Sequence, residues 1–102
     1  MCERTKRLWN ELSKWSQETF GSDAERGPIG PLLHLKLEAD EAIESGAPDE
    51  YADCLILILD AARRAGFTHD TLIATTLEKL EVCKTRTYPR PPVDEPAHHV
   101  EG

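Results

Sequence analysis

Apolar residues along this chain recur at the three- and four-residue spacing of α-helices rather than at the alternating spacing of strands. Glycine and proline separate the periodic segments at positions where helices end and begin. The pattern therefore predicts an all-α fold built from four helices. Their predicted ranges are about 3–19, 31–45, 48–64 and 70–86.

Two of these helices carry information about burial. The first places Leu8, Leu12 and Trp15 on one stripe, which is typical of positions that face a core. The third contains the run Cys54–Leu59, which covers every direction around the helix and must be buried on all sides. Because four helices of this size cannot readily enclose one of their own number, the pattern predicts a homodimer or homotetramer with the third helix in the interface.

The C-terminal segment is rich in proline. Four prolines follow Tyr88 within eight residues: Pro89, Pro91, Pro92 and Pro96. Such spacing excludes a helix and favours an extended, polyproline-like tail. We therefore expect a single domain over residues 1–102, with a helical core at about 3–87 and an extended tail at 88–102.

The composition is that of a globular protein, with 39% hydrophobic and 30% charged residues. The longest apolar run has six residues, and the N-terminus has no apolar stretch behind its basic residues, so we expect neither a membrane span nor a secretory signal. Three cysteines (Cys2, Cys54 and Cys83) without a C-x-x-C pair favour free thiols in a reducing compartment. The predicted location is cytoplasmic.

The formal net charge of −7 argues against nucleic acid or an anionic membrane as a partner. The charge is unevenly distributed along the chain. Residues 34–53 hold seven acidic residues and one basic residue, a local net charge of −6. The acidity is therefore a patch, and its chemistry has to be sought in those residues.

Within this patch, two carboxylate pairs have i, i+3 spacing on neighbouring helices. Glu38 and Glu41 lie about 60° apart at the border of the apolar face of the second helix. Glu50 and Asp53 repeat the spacing on the third helix, and the short Gly-Ala-Pro break between the helices predicts an antiparallel hairpin in which the pairs face each other. Four facing carboxylates repel unless a hard cation neutralises them, and oxygen ligands favour Mg²⁺ or Mn²⁺ over zinc.

Other interpretations compete with a metal site. Any single carboxylate is most often a solvated surface charge, and two i, i+3 pairs alone would not overturn that view. Their position against an otherwise apolar helix favours the metal. The pairs lack the Glu-x-x-His pattern of di-iron bundles. Asp60 is sufficiently explained by an ion pair with Arg64, four residues further on.

Positive and imidazole groups could complete a phosphate site. Lys79 and Arg86 share one face of the fourth helix about 10 Å apart, a separation at which an ammonium and a guanidinium can hold two phosphates. Taken alone, they are more simply a basic helix end favoured by the helix dipole. His34 falls between Glu38 and Glu41 in angle, where it would contact phosphate or base or would support a carboxylate.

Several short motifs, in their order along the chain, resemble one known family. They are Trp15-Ser16, Thr19-Phe20-Gly21, Arg26-Gly27-Pro28, Gly30-Pro31-Leu32, His34-Leu35, Glu38-x-x-Glu41, Glu50-Tyr51-Ala52-Asp53 and Lys79 with Arg86. Together they resemble the dATP/dGTP diphosphohydrolase branch of the MazG-like, all-α NTP pyrophosphohydrolases. The likeness covers nearly the whole chain, from Leu8 to the tail.

The resemblance implies an enzyme that hydrolyses a purine nucleoside triphosphate, dGTP or dATP, to the monophosphate and pyrophosphate. It implies two or more Mg²⁺ ions, replaceable by Mn²⁺, as cofactors in bacterial or phage-infected host cytosol. Phage-borne relatives use this reaction to supply dGMP for modified-purine synthesis, which favours dGTP. The implied metal ligands and catalytic residues are Glu38, Glu41, Glu50 and Asp53, and the implied phosphate ligands are Lys79, Arg86 and His34.

Two aromatic residues ahead of the Gly-rich loop, Trp15 and Phe20, are candidates for stacking on the base, although aromatics at helical spacing belong more often to a core. The chain also departs from the family pattern. Leu37 stands where many relatives have a further Glu, so a carboxylate is missing or comes from Asp49 or Asp60. Cys83 replaces an Asn. The alternative function is a non-enzymatic acidic module that oligomerises and binds metal or a basic partner.

Overall fold

The computed structural model describes residues 3–98, so Cys2 and the end of the tail at 99–102 lie outside the described residues. The described chain contains four α-helices: α1 (Glu3–Phe20), α2 (Ile29–Ser45), α3 (Pro48–Arg64) and α4 (His69–Thr85). The all-α prediction is confirmed, and the predicted helix ends lie within two residues of those in the structure. The chain divides into two compact units between His69 and Asp70, so that α1, α2 and α3 share the first unit.

Glycine and proline set the ends of the helices that form the first unit. Gly46 ends α2 in the left-handed conformation, with φ 67°, and its backbone N–H donates to the Ala42 carbonyl at 2.9 Å. Pro48 then begins α3, where its missing N–H costs no helical hydrogen bond. The two-residue connection at 46–47 makes α2 and α3 the predicted hairpin, and α3 packs against both α2 and α1.

The buried face of α1 differs from the predicted stripe. Trp9, Leu12 and Ser16 are buried, whereas Trp15 is 52% exposed, so the prediction that Trp15 belongs to the core is wrong. The Ser16 hydroxyl is fully buried and donates to the Asp60 carboxylate of α3 at 2.7 Å. This polar contact sets the rotation of α1 against α3, and hydrophobic spacing alone does not reveal it.

A second contact of α1 lies nearer its N-terminus and closes the first unit. The ring of Trp9 meets the buried ring of His69 edge to face, with centroids 5.9 Å apart. The hydroxyl of Thr5 lies 3.1 Å from His69 Nε2. The first residue of α4 is therefore tied to α1 by both an aromatic and a polar contact.

The second unit consists of α4 from Asp70 onward and the segment that follows it. The proline-rich segment forms no helix up to residue 98, as predicted, but it contains a turn in which the Glu95 N–H donates to the Pro92 carbonyl at 3.2 Å. Asp94 adopts a positive φ of 67° in that turn. The described part of the tail is therefore not extended throughout.

No helix within residues 3–98 has the length and apolar character that crossing a bilayer requires.

Candidate functional site

The α2–α3 hairpin brings three of the four predicted carboxylates together. Glu38 of α2 and Glu50 and Asp53 of α3 each offer a carboxylate oxygen, and these three oxygens lie within 4.8 Å of one another. The fourth predicted residue, Glu41, is exposed and lies outside this group of three, but it is close enough to raise the pKa of Glu38. We call Glu38, Glu50 and Asp53 the acidic cluster.

Two oxygens of the acidic cluster are buried without a hydrogen-bond partner among residues 3–98. They are Glu38 Oε2 and Glu50 Oε2. A buried carboxylate oxygen is costly when no donor or cation satisfies it. Three oxygens within 4.8 Å, two of them unsatisfied, form an oxygen-only donor set that suits Mg²⁺ or Mn²⁺.

The electrostatics of the acidic cluster lead to the same conclusion. The pKa of Glu38 is raised, mainly by the close approach of the Glu41 carboxyl, then by desolvation and by the charges of Glu41 and Asp53. The pKa of Glu50 is raised mainly by desolvation, then by the charges of Glu41, Asp49 and Asp53. The ionised form of both carboxyl groups is therefore disfavoured, and a bound cation would stabilise it.

His34 lies beside the acidic cluster rather than apart from it. Its Nε2 lies 3.1 Å from Glu38 Oε1, one helical turn along α2. This contact lowers the pKa of Glu38, against the larger effects that raise it. The His34 side chain is itself 58% exposed. The imidazole therefore supports a carboxylate of the cluster while presenting its remaining surface to a ligand.

A cavity of about 320 Å³ adjoins the acidic cluster, and Glu38 and Asp53 form part of its wall. Its volume lies within the range of small-ligand sites. The apolar part of the wall consists of Leu12, Trp15, Phe20, Pro31, Ile56 and Leu57. The rings of Trp15 and Phe20 meet edge to face with centroids 5.3 Å apart, and each remains about half exposed. The structure thus places the two predicted base-binding aromatics together at one cavity.

The polar part of the cavity wall contains groups that the sequence did not single out as ligands. The two arginines among them, Arg26 and Arg64, differ in their surroundings. The Arg64 side chain is 2% exposed and is bonded throughout, whereas Arg26 is exposed and has one side-chain hydrogen bond within residues 3–98. Of these two arginines, only Arg26 therefore has N–H donors that are not already hydrogen-bonded and are available to a ligand.

Arg64 fixes the loop between α1 and α2. Its guanidinium donates to four backbone carbonyls, at 3.0 to 3.4 Å. These carbonyls belong to Ser16, Gly21, Ser22 and Arg26. The loop carries part of the cavity wall, so the conformation of the wall depends on a residue at the end of α3.

Asp60 balances the charge of this buried region. Its carboxylate accepts from Arg63 at 2.8 Å and from Arg64 at 3.3 Å, and Arg63 also bonds Asp23 of the loop at 2.6 Å. The ion pair expected between Asp60 and Arg64 is confirmed. Asp60 is therefore committed to these cations and does not replace the carboxylate that is missing at Leu37.

Sequence reasoning predicted the pairing of Arg64 with Asp60 but missed Arg63 and the contacts of both arginines with the loop. The sequence feature that could have revealed these contacts is the spacing of Asp60 to both arginines, three and four residues away, which allows one carboxylate to pair with two guanidinium groups.

Asp49 was the other suggested source of the carboxylate that is missing at Leu37. It is exposed in the first turn of α3, and its charge contributes to the raised pKa of Glu50.

Two of the three predicted phosphate ligands, Lys79 and Arg86, lie in the second unit. Lys79 is exposed on α4, and the half-buried Arg86 follows the end of α4, where its N–H donates to the Cys83 carbonyl at 3.1 Å. Within the described chain, neither side chain forms an ion pair. Their role in phosphate binding stays a prediction.

Comparison with known proteins agrees with this geometry. Residues 8–102 match the family model for dATP/dGTP pyrophosphohydrolase. The chain is 41% identical over 99 residues to the Eaa protein of Salmonella phage P22, an alignment that covers 93% of this chain but 29% of that protein. The chain thus spans less than a third of the length of this curated relative.

A solved structure is similar over almost the full length of both chains. It is a cyanophage S-2L MazG-like pyrophosphohydrolase bound to dGDP and three catalytic Mn²⁺ ions per active site, with a TM-score of 0.74 and 28% sequence identity. The similarity covers 94% of this chain and 92% of the cyanophage chain. The four-helix fold, the acidic cluster and the family match over residues 8–102 together show that the chain belongs to the dATP/dGTP pyrophosphohydrolase family.

Proposed function

We propose that this protein hydrolyses a purine deoxynucleoside triphosphate, dGTP or dATP, to the monophosphate and pyrophosphate with the help of Mg²⁺ or Mn²⁺. The observation that carries the proposal is the acidic cluster, whose three oxygens within 4.8 Å include two that are buried and unsatisfied, beside an aromatic cavity of about 320 Å³. Membership of a pyrophosphohydrolase family supports the reaction class.

Glu38, Glu50 and Asp53 would hold the cations, with two or more ions sharing these carboxylates. When bound, the cations supply charge stabilisation at the phosphate oxygens and lower the pKa of a coordinated water. Cations held there would adjoin a ligand in the cavity, because Glu38 and Asp53 belong to both the acidic cluster and the cavity wall.

Glu41 would serve as the general base. It lies outside the group of three but close enough to raise the pKa of Glu38, so it is not committed to the cations that the acidic cluster would hold. Glu41 would accept a proton from the attacking water as the bond between the α- and β-phosphates breaks and pyrophosphate leaves. His34 would keep Glu38 oriented through the 3.1 Å contact.

The cavity accounts for the nucleoside part of the substrate. Trp15 and Phe20 expose ring surface on which a purine would stack, a contact typically worth about 1–3 kcal/mol per base. The solved relative from cyanophage S-2L, which holds dGDP, supports a purine nucleotide as ligand. The proposal also includes the sequence prediction that Lys79 and Arg86 bind phosphate, which substitution of either residue tests.

We further propose a homodimer or homotetramer in the cytosol of a bacterial or phage-infected host cell. In the described chain the buried hydrophobic residues are few, namely Trp9, Leu12 and Ala61, while Leu55 and Ile58 of α3 remain 50% and 40% exposed. A second copy would cover this apolar face of α3. Free thiols at Cys54 and Cys83 support a reducing compartment.

Purified protein incubated with each dNTP and Mg²⁺, followed by inorganic pyrophosphatase and a phosphate assay, tests the reaction. Pyrophosphate is expected from dGTP or dATP, and Glu50→Gln should reduce the rate at least about 100-fold, since it removes a charged ligand. The matched control, Glu18→Gln on the exposed surface of α1, should keep the wild-type rate. Mg²⁺-dependent stabilisation with no pyrophosphate from any nucleotide would instead support the metal-binding module.

A further inference from the structure

Arg26 is the cavity residue whose surroundings leave it free to bind a ligand. A guanidinium has five N–H donors, and residues 3–98 accept one hydrogen bond from Arg26, made by Nη1 to the Phe20 carbonyl at 3.4 Å. Arg64, the other cavity arginine, has its donors directed to Asp60, Ser16 and loop carbonyls. Arg26 is therefore the only described arginine in the cavity wall with several unused donors.

Hydrogen bonds fix the backbone at Arg26, and Gly30 leaves room for its side chain. Its carbonyl accepts from Arg64 at 3.1 Å, and its N–H donates to the Ser22 carbonyl at 3.0 Å. At Gly30, the second residue of α2, an added Cβ would stand 3.1 Å from Arg26 Nη2. The absence of a side chain at position 30 thus leaves the space in which the guanidinium lies.

The guanidinium lies at the aromatic end of the cavity rather than at the acidic cluster. It contacts the carbonyl of Phe20, whose ring pairs with Trp15, and it lies against Gly30. Gly30 and Glu38 are eight residues apart on α2, about 12 Å along the helix axis. A nucleotide whose phosphates lie at the acidic cluster would therefore bring its base, not its phosphates, toward Arg26.

The chemistry of this group distinguishes the two purines. Guanine presents two adjacent acceptors, O6 and N7, which fit a bidentate guanidinium. Adenine presents N7 as an acceptor but an amino donor at N6, which a group with donors alone cannot satisfy. We propose that Arg26 reads O6 and N7 of the base and makes dGTP the preferred substrate; this inference rests on the proposed function and narrows its substrate to guanine nucleotides.

The test compares kcat/KM for dGTP, 7-deaza-dGTP and dATP. The wild-type enzyme should prefer dGTP over dATP by about 5- to 150-fold, the usual discrimination of a bidentate base contact, and should lose part of that advantage with 7-deaza-dGTP, which lacks N7. Arg26→Met should abolish both differences. Arg26→Gln should shift the preference toward dATP, since a carboxamide pairs with N6 and N7 of adenine.

Controls separate this inference from a structural or phosphate-binding role. Arg7→Gln removes a guanidinium from an exposed ion pair on α1 and should keep the wild-type dGTP:dATP ratio. If Arg26→Met and Arg26→Gln lower kcat/KM equally for all three nucleotides, Arg26 binds phosphate or only maintains the fold, and the inference is overturned. The same holds if 7-deaza-dGTP remains discriminated in Arg26→Met.

A binding experiment keeps the inference distinguishable from the proposed function. Calorimetric titration with dGMP and dAMP requires no turnover. Tighter binding of dGMP in the wild type, lost in Arg26→Met, would support the base contact even where no pyrophosphate is released. Equal affinities for dGMP and dAMP in the wild type would overturn it, whatever the protein hydrolyses.

Discussion

Glu50 combines a functional advantage with a cost in stability. Desolvation and three neighbouring carboxylates raise its pKa, and its Oε2 atom is buried without a partner among residues 3–98. The same features that prepare this side chain to bind a cation make the metal-free fold less stable. Side chains of this kind are typical of binding sites, where a group that destabilises the ligand-free protein is retained because it binds the ligand.

Glu50→Gln should therefore stabilise the metal-free protein. The neutral amide removes the repulsion from neighbouring carboxylates while keeping the size of the side chain, so the melting temperature in EDTA should rise by a few degrees. The substitution should also reduce the further stabilisation that Mg²⁺ gives the wild type. Differential scanning fluorimetry with and without Mg²⁺ measures both effects. A lower melting temperature in EDTA, relative to wild type and Glu18→Gln, would contradict this prediction.

The stability of the metal-free protein should also depend on pH in a defined direction. Glu38 and Glu50 have pKa values raised above the ordinary value of 4.5, so the folded state binds protons more tightly than the unfolded state. Their contribution is favourable at low pH and is lost as pH rises from 4.5 through the raised pKa values.

Thermal unfolding in EDTA from about pH 5 to pH 8 should therefore show a falling melting temperature, to which these two residues contribute. Glu50→Gln should flatten the slope, and saturating Mg²⁺ should largely remove it. The control Glu18→Gln carries the same change in net charge and should retain the wild-type slope. Identical slopes for the two variants would show that overall charge, not the acidic cluster, governs the pH dependence.

At the residue level, the sequence predicted the carboxylates better than their supporting groups. The i, i+3 spacing of Glu50 and Asp53 on an amphipathic helix is readable because it depends on local geometry alone. The roles of Ser16 and Arg64 depend on a contact between α1 and α3, 48 positions apart in sequence, at 2.8 Å. Such long-range polar contacts leave no periodic signal, and the ion pair with Asp60 gave Arg64 a sufficient local explanation.

At the level of elements, the loop between α1 and α2 depends on α3 for its conformation. Arg64 donates to carbonyls at Gly21, Ser22 and Arg26, and Arg63 bonds Asp23 at 2.6 Å. A buried ion pair that loses one partner typically costs about 3–5 kcal/mol, since the other charge stays buried. The loop is thus held by α3 as well as by its own hydrogen bonds.

Arg64→Lys tests this dependence. A lysine keeps the charge beside Asp60 but cannot reproduce the planar fork that reaches several carbonyls, so the loop should loosen while the helices persist. We expect faster amide hydrogen exchange in residues 21–28 and a raised KM for dGTP, with a smaller change in kcat. The control Arg7→Lys alters an exposed pair with Glu11 and should change stability by less than about 1 kcal/mol. Unchanged exchange in residues 21–28 would contradict the prediction.

The helix boundaries were the most predictable feature of the elements. Gly46 and Pro48 act through backbone conformation alone, so their effect could be predicted without knowledge of the fold. The start of α2 was placed at 31 rather than at Ile29 because proline is tolerated throughout the first turn, and the sequence does not fix which of those positions Pro31 takes.

At the level of the whole molecule, the described chain leaves much of its apolar surface uncovered. Leu33 and Leu37 of α2 are 58% and 64% exposed, and Tyr51 and Leu55 of α3 are 63% and 50% exposed. The spacing within each pair is four residues, so each helix presents an apolar face. A chain of this length buries only about two thirds of its unfolded surface when it folds alone, and so many exposed apolar side chains favour association.

The proposed homo-oligomer predicts a sedimentation mass of two or four times the 11.4 kDa chain at micromolar concentration. Leu55→Lys should shift that mass toward the monomer, because a lysine ammonium buried in an apolar interface would lack a partner. Glu44→Lys, also an exposed change to lysine but on a polar position of α2, should leave the mass unchanged. A wild-type mass of 11.4 kDa would exclude the oligomer, and the exposed faces of α2 and α3 would then remain open to solvent in the working protein.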